Sequence, residues 1–219
     1  MPIDAQRALW NDDMYHKHPT PYGGTIAGLI SAARVRTIVR LARIQPGDAV
    51  LEIGCEAGHV LVSLPPCKRL VGADISADAL ADAQALAHEK RREIECVQLD
   101  AEEALSFERG AFDVVILSEI LEHVRSPRTV LERVRAICTP QTRVVITVPI
   151  ERPKLAIKRA LSSVGLLALL FPGIEKEQSE WHLQIFSKAL IRDVTAGLFR
   201  IDSLQVVWGC HYAALLHAV

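Results

Sequence analysis

Val50-Leu51-Glu52-Ile53-Gly54-Cys55-Glu56-Ala57-Gly58-His59 is the stretch that decides the fold class of this 219-residue chain. An apolar run ends at an acidic residue and two glycines, and a helical pattern follows, which predicts a strand, a loop and a helix. Such a loop brings the backbone close to a ligand while a carboxylate stands beside it. The stretch therefore indicates a ligand-binding loop at the end of a strand.

The same loop discriminates between two classes of cofactor. A dinucleotide fingerprint reads Gly-x-Gly-x-x-Gly, and Glu56 stands where its second glycine would be. Backbone N–H groups beside a carboxylate suit a ligand with a cationic or amino group and a ribose better than they suit a pyrophosphate. The loop therefore favours S-adenosylmethionine (SAM) over NAD.

Apolar runs of strand length alternate with helical segments around this loop. The predicted strands are residues 49–54, 70–74, 94–99, 112–117 and 144–148. The predicted helices are residues 25–44, 59–64, 77–90, 101–105 and 127–137. Short apolar strands in this alternation predict a parallel sheet with helices on both faces and a ligand at the carboxyl ends of the strands.

The pattern changes after Pro149. Residues 151–180 form an irregular segment, a helix is predicted over 187–197, and the strands 201–208 and 212–219 follow without a helix between them. We therefore predict an α/β, Rossmann-like, doubly wound seven-stranded sheet that is mostly parallel with an antiparallel C-terminal strand. Residues 1–219 are expected to form one domain, with an N-terminal cap over 1–24 and an insertion or lid over 151–185.

Acidic residues follow the predicted strands at the edge where a ligand would bind. Asp74 ends the second strand about 20 residues after the glycine loop, where a carboxylate accepts both hydroxyls of a ribose. Asp100 ends the third strand and is placed to accept from an adenine amino group. Ser118 and Glu119 end the fourth strand, over the reactive end of the cofactor. With Glu52, these residues predict one SAM site rather than separate surface caps.

These motifs resemble those of the class I SAM-dependent methyltransferases over roughly residues 34–219. The motifs that carry the resemblance are residues 50–58, 71–74, 100–102, 112–115, 118–124 and 182–187. The chain departs from the family at Glu56, where most members have glycine. The resemblance implies that Gly54 and Gly58 approach the methionine part of SAM. It also implies that Asp74 holds the ribose and Asp100 reaches the adenine.

The chain also resembles the ubiquinone-pathway O-methyltransferases. Arg34 lies 20 residues before Gly54, where those enzymes direct an arginine toward the SAM carboxylate. Residues 209–212 are similar to their Gly-x-His-Tyr. The complete predicted set of cofactor-binding residues is Arg34, Glu52, Gly54, Cys55, Gly58, Asp74, Ile75, Asp100, Ala101 and Ser118.

The segment Glu119-Ile120-Leu121-Glu122-His123 is the candidate for activating an acceptor. With Glu119 and His123 one helical turn apart and Glu122 on a nearby face, the three are predicted to converge on Mg²⁺ or another divalent cation. This spacing is similar to the Glu-x-x-Glu-His of ubiquinone-pathway and small-RNA 2′-O-methyltransferases, which implies a metal beside the acceptor hydroxyl. The alternative is a histidine that packs on the strand ends without metal. His182 is a candidate fourth ligand or general base, which makes His182, His123 and Glu119 the predicted catalytic residues.

Composition limits the partners. A net charge of −1 provides no basic excess for nucleic acid, and five cysteines without paired spacing are typical of a reducing cytoplasm. Residues 152–172 join a basic start to an apolar run, which fits either peripheral contact at the inner membrane face or a lid or subunit contact. The oligomeric state stays open.

The preferred function is methyl transfer from SAM to a hydroxyl of a small or lipophilic acceptor. The alternatives are N- or C-methylation of a small molecule, a SAM-binding protein without catalysis, and an NAD(P)-dependent oxidoreductase.

Overall fold

A computed structural model of the chain describes residues 5–17, 26–150 and 182–219. Its helices are α1 (Ala5–Lys17), α2 (Ile26–Ala42), α3 (His59–Ser63), α4 (Ala77–Glu89), α5 (Pro127–Ile137) and α6 (Lys188–Thr195). Its strands are β1 (Ala49–Ile53), β2 (Arg69–Asp74), β3 (Glu95–Gln98), β4 (Val114–Ser118), β5 (Arg143–Pro149), β6 (Phe199–Val207) and β7 (His211–Ala218).

The seven strands form one sheet in the order β3-β2-β1-β4-β5-β7-β6. Strands β1 to β5 are parallel to one another, and β7 runs antiparallel between β5 and β6. This arrangement confirms the predicted α/β fold with an antiparallel C-terminal strand. The direction of strand addition reverses between β1 and β4, and sheets of this kind bind ligands in the crevice at that switch point.

Helices cover both faces of the central strands, which explains why these strands are apolar throughout. Leu51 of β1 packs in a core on the α5 and α6 face that includes Ile191. Val50, its neighbour, packs in a second core on the α2 and α3 face that includes Ile38 and Leu61. Burying such a side chain contributes roughly 1.5–3 kcal/mol, so the two cores hold the strand ends in fixed positions.

The helix predicted over residues 101–105 is wrong, because this segment forms turns. Asp100 explains the difference. Its Oδ1 accepts the N–H of Glu102 at 2.9 Å, and its carbonyl oxygen accepts the N–H of Glu103 at 3.1 Å. A side chain that satisfies the local backbone in this way competes with helix formation.

The predicted cap and insertion are described only in part. Of residues 1–24 the structure describes α1, and of residues 151–185 it describes 182–185. The lipid or lid contact expected of residues 152–172 lies outside the described residues and stays a prediction. Within the described ranges, every helix is too short or too polar to cross a bilayer.

Candidate functional site

The predicted cofactor residues of β1, β2 and β4 lie along the carboxyl edge of the sheet. Ile53 pairs with both Ala73 and Leu117, so the ends of the three strands are level with one another. The residues that follow are therefore neighbours in space. The structure thus brings the glycine loop, Asp74 and Ser118 to the same crevice, as the sequence predicts.

The glycine loop is folded by hydrogen bonds to β2. The N–H groups of Gly54 and Cys55 donate to the carbonyl oxygen of Ala73 at 2.7 and 3.1 Å. The N–H of Glu56 donates to Asp74 Oδ2 at 2.9 Å. The expectation that these loop N–H groups face a ligand is therefore wrong, because they hold the loop against β2.

The two glycines are required by the space around them. Gly54 has a φ of 74°, and a Cβ there would lie 2.8 Å from Cδ1 of Ile120. Gly58 has a φ of 75°, and its Cβ would lie 3.1 Å from that of Ala83. A left-handed backbone and a close neighbour both exclude larger residues. The glycines therefore allow close approach of the chain instead of supplying donors.

Glu56, the departure from the family pattern, also has a left-handed backbone, with a φ of 49°. Burial and Asp82 are the larger causes that raise the pKa of the Tyr15 hydroxyl in α1, and the charges of Glu56 and Asp74 add to the shift. The contact of Glu56 with Asp74 is made by its backbone N–H, which any residue other than proline would offer at this position.

Asp74 is held by backbone donors on both carboxylate oxygens. Oδ2 accepts from Glu56, and Oδ1 accepts the N–H of Ser76 at 3.0 Å. Burial raises the pKa of the Asp74 carboxyl, and the N–H groups of Ser76, Glu56 and Ile75 oppose that shift. The side chain is thus fixed at the end of β2, with Ile75 directly behind it.

Arg34 and Glu52 form the buried electrostatic centre of the crevice. Glu52 is 1% exposed and Arg34 is 4% exposed. Burial raises the pKa of Glu52 well above its ordinary value, and the charge of Arg34 opposes the shift. Arg34 Nη1 donates to Ser118 Oγ at 2.9 Å. The arginine predicted to face the SAM carboxylate therefore lies between the ends of β1 and β4.

Cys55 and Ala101 contribute packing rather than chemistry. Cys55 is buried, and burial raises the pKa of its thiol. A Cβ added at Gly72 would lie 3.0 Å from the Cys55 Sγ, so the thiol packs directly against β2. Ala101 is buried beside Asp100. Both residues belong to the hydrophobic cores, and their predicted roles in cofactor binding stay predictions.

Asp100 is contacted from the N-terminal helix. Its side chain is almost fully buried, and its Oδ2 pairs with Nη1 of Arg7, while Arg7 Nη2 pairs with Glu102. The sequence pattern did not reveal Arg7, because its partners Asp100 and Glu102 lie more than 90 positions away along the chain. The positive charge of Arg7 within the predicted N-terminal cap was the signal available.

The prediction that Glu119, Glu122 and His123 converge on one cation is wrong for Glu119. Residues 119–123 form a bend and a turn instead of a helix, and Glu119 has a φ of 57°. Its Oε2 lies 3.1 Å from Nε2 of His211, and its Oε1 lies 3.9 Å from Nη1 of Arg34. The left-handed backbone therefore turns Glu119 toward α2 and β7.

His182 joins Glu122 and His123 in its place. One ligand atom from each of the three side chains lies within 4.8 Å of the others. The rings of His123 and His182 are 4.9 Å apart, and the N–H groups of Leu183 and Gln184 donate to the carbonyl oxygen of Glu122. Two imidazoles and a carboxylate are a donor set for a divalent transition metal.

His211 is a second site residue whose role the sequence pattern does not predict. It is 5% exposed at the start of β7, and its Nδ1 has no hydrogen-bond partner among residues 5–17, 26–150 and 182–219. The similarity of residues 209–212 to Gly-x-His-Tyr was the signal that marked it. His211 places Glu119 beside Arg34 at the end of β4.

Replacing Gly54 by alanine tests whether close approach shapes the loop. We expect Gly54→Ala to lower the free energy of unfolding by about 3 kcal/mol, because left-handed strain adds to overlap with Ile120. Gly209→Ala is the matched control, since Gly209 has a φ of 70° and no atom within 4 Å of its Cβ. Gly209→Ala should lower the free energy of unfolding, measured by urea denaturation, by about 1 kcal/mol. Equal losses in the two variants would contradict this account of the loop.

The buried Glu52 predicts a pH effect on stability. Because its pKa is raised from 4.5 in the folded protein, the folded state holds a proton that the unfolded chain releases, and stability falls as pH rises through that window. The melting temperature of Glu52→Gln, measured relative to the unsubstituted protein, should therefore increase with pH above 4.5. Glu95→Gln is the control with the opposite sign, because a hydrogen bond from Arg69 lowers the pKa of Glu95. If the difference in melting temperature between Glu52→Gln and the unsubstituted protein does not change with pH, the raised pKa of the buried Glu52 carboxyl is contradicted.

Comparison with known proteins agrees with this geometry. Residues 51–144 match the family model described as a methyltransferase domain. The ubiquinone biosynthesis O-methyltransferase of Cronobacter sakazakii is 36% identical over 95 residues, covering 43% of this chain and 39% of that protein. Its counterpart in Aeromonas salmonicida is 30% identical over 128 residues, covering 58% and 54%. The chain spans about half or less of the length of these curated relatives.

A solved structure extends the likeness over nearly the whole fold. The N-methyltransferase NodS from Bradyrhizobium japonicum, in complex with S-adenosylhomocysteine (SAH), superposes with a TM-score of 0.61 at 19% identity, covering 97% of this chain and 95% of that chain. At this identity the match concerns the fold alone. The matched domain, the relatives and the sheet topology together support a class I SAM-dependent methyltransferase.

Proposed function

We propose that the protein transfers the methyl group of SAM to a hydroxyl of a small or lipophilic acceptor. The observation that carries the proposal is the row of carboxylates at one sheet edge, Glu52, Asp74 and Asp100, around a loop whose glycines allow it to pack closely against Ile120 and Ala83. The methyltransferase domain supports SAM as the methyl donor. The names of the curated relatives support a hydroxyl as the acceptor.

The charges of the crevice complement those of SAM, which carries an ammonium, a carboxylate and a sulfonium. Arg34 offers a buried guanidinium for the carboxylate, and Glu52 lies beside it for a positive group. Asp74 is oriented for the ribose hydroxyls, and Asp100 for the adenine. Buried charges need such partners to offset desolvation, so binding of SAM would compensate groups that the fold keeps away from water.

SAM supplies a methyl group on a sulfonium, which becomes the neutral thioether of SAH when the carbon–sulfur bond breaks. The protein aligns the acceptor oxygen with that carbon, which provides much of the acceleration. The hydroxyl must also lose its proton, and a phenol of pKa about 10 is mostly neutral at pH 7, a gap of roughly 4 kcal/mol. His123 and His182 lie together near the end of β4 as bases for this proton.

A divalent cation would lower that barrier further, and three side chains fit one. Glu122, His123 and His182 would hold it, since their ligand atoms lie within 4.8 Å of one another. The two imidazoles favour manganese, iron or zinc over magnesium, which prefers oxygen ligands. When bound, such an ion acts as a Lewis acid on a hydroxyl oxygen. The metal expected from the sequence is therefore proposed with a different ligand set.

The proposal is tested by measuring SAH release from SAM with a panel of phenols, catechols and aliphatic alcohols, alongside matched amines. We expect turnover with a hydroxyl acceptor, a loss of activity in EDTA, and recovery with Mn²⁺. His182→Ala and His123→Ala should each lower kcat/KM at least about 100-fold, because each removes a ligand or base.

His88→Ala is the matched control, because His88 is exposed in the last turn of α4 and lies outside the three-residue cluster. It should keep full activity and the full response to Mn²⁺. Turnover of the amines alone would contradict hydroxyl methylation. An unchanged Mn²⁺ response in His182→Ala would remove the proposed metal ligands.

A further inference from the structure

Helix α1 lies along the part of the crevice assigned to adenosine. Its Asp12 accepts a hydrogen bond from Ser76 Oγ at 2.5 Å, just beyond Asp74. Its Tyr15 donates to Asp82 Oδ2 of α4 at 2.7 Å. These two contacts anchor the C-terminal half of α1 next to the predicted ribose position.

The N-terminal half of α1 is anchored at the predicted adenine position. The Arg7 guanidinium contacts two carboxylates, Asp100 through Nη1 and Glu102 through Nη2. The side chains are 20%, 4% and 12% exposed respectively, so the two ion pairs are partly withdrawn from water. Charge-assisted hydrogen bonds to two partly buried carboxylates hold an arginine more firmly than an exposed ion pair does.

Both oxygens of Asp100 are engaged in this arrangement. Oδ1 accepts the N–H of Glu102, and Oδ2 is the oxygen that Arg7 contacts. A ligand that reaches Asp74 and Asp100 together occupies the interval that the contacts of α1 bracket. Such a ligand shares Asp100 with Arg7 when α1 is in place, and enters or leaves past the helix.

We propose that Arg7 is a cofactor-site residue that latches α1 over the adenosine half of the crevice. This inference rests on the proposed function, because it assumes that adenosine occupies the interval between Asp74 and Asp100. Each catalytic cycle must release SAH and admit SAM, so the Arg7 contacts open and close once in every cycle. In many enzymes the opening of such a closing element limits the rate of product release.

Trp10 is a built-in reporter of this motion. It lies one helical turn after Arg7 and is 46% exposed. The other tryptophans of the chain are Trp181 and Trp208, and their replacement by phenylalanine leaves Trp10 as the single source of indole fluorescence. Stopped-flow mixing with SAH then measures the association and dissociation rates through α1 itself.

We expect Arg7→Gln to raise the SAH dissociation rate at least five-fold, and to raise the association rate as well, because α1 no longer has to release Asp100. Arg7→Lys keeps the charge without the two-pronged contact and should give an intermediate rate. Glu102→Gln should accelerate dissociation in the same direction, because it weakens one of the two pairs without changing Asp100.

His16→Gln is the control for a general effect of changing α1. His16 pairs with Asp78 at 2.9 Å, but the two side chains are 63% and 56% exposed, and such pairs contribute little. Its exchange rates should stay within two-fold of the unsubstituted protein. Circular dichroism and thermal melting check that Arg7→Lys keeps α1 and the fold. Arg7→Lys then still tests the latch if Arg7→Gln is less stable.

The outcomes separate the latch from the proposed function. SAH binding with equal dissociation rates in the unsubstituted protein, Arg7→Gln and Arg7→Lys would overturn the latch and leave the cofactor assignment intact. Acceleration in His16→Gln equal to that in Arg7→Gln would also overturn it, since any loosening of α1 would then suffice. Failure of the unsubstituted protein to bind SAH would overturn both.

Discussion

Carboxylates at one edge of the sheet are the constraint on which the rest of the structure depends. Glu52 and Asp100 are almost fully buried, and Asp74 is half-buried. Removing a carboxylate from water is costly unless donors or opposite charges replace the water. The fold supplies backbone N–H groups to Asp74, Arg34 to Glu52, and Arg7 to Asp100. Helices α1 and α2 therefore complete the edge of the sheet electrostatically as well as by packing.

Arg34 connects the two halves of the crevice. On one side its charge stabilises the anion of Glu52, and on the other its guanidinium contacts Ser118 and lies near Glu119. Glu119 in turn pairs with His211. The two halves of the crevice thus share one network of charged and hydrogen-bonded groups. A change of charge in one half therefore alters the electrostatic energy of the groups in the other.

Much of the fold could be predicted from the chain because apolar runs report which strands are buried on both faces. The seven strands and the antiparallel C-terminal strand follow from that pattern. The absence of a helix over residues 101–105 could not be predicted, because the Asp100 side chain accepts a hydrogen bond from the local backbone in place of a helical partner. The separation of Glu119 from Glu122 could not be predicted either, because helical spacing in the sequence does not show that Glu119 has a left-handed backbone conformation. The role of Arg7 could not be predicted either, because its contacts with Asp100 and Glu102 join residues more than 90 positions apart in the sequence.

The most direct test of the central claim is a calorimetric titration of SAH, with NAD as the comparison ligand. We predict that SAH binds, that NAD does not, and that Asp74→Asn weakens SAH binding at least ten-fold, about 1.4 kcal/mol. Asp202→Asn, on the exposed edge strand, should bind SAH like the unsubstituted protein. Binding of NAD in place of SAH, or equal SAH affinity in Asp74→Asn, would contradict the assignment of this sheet edge to SAM.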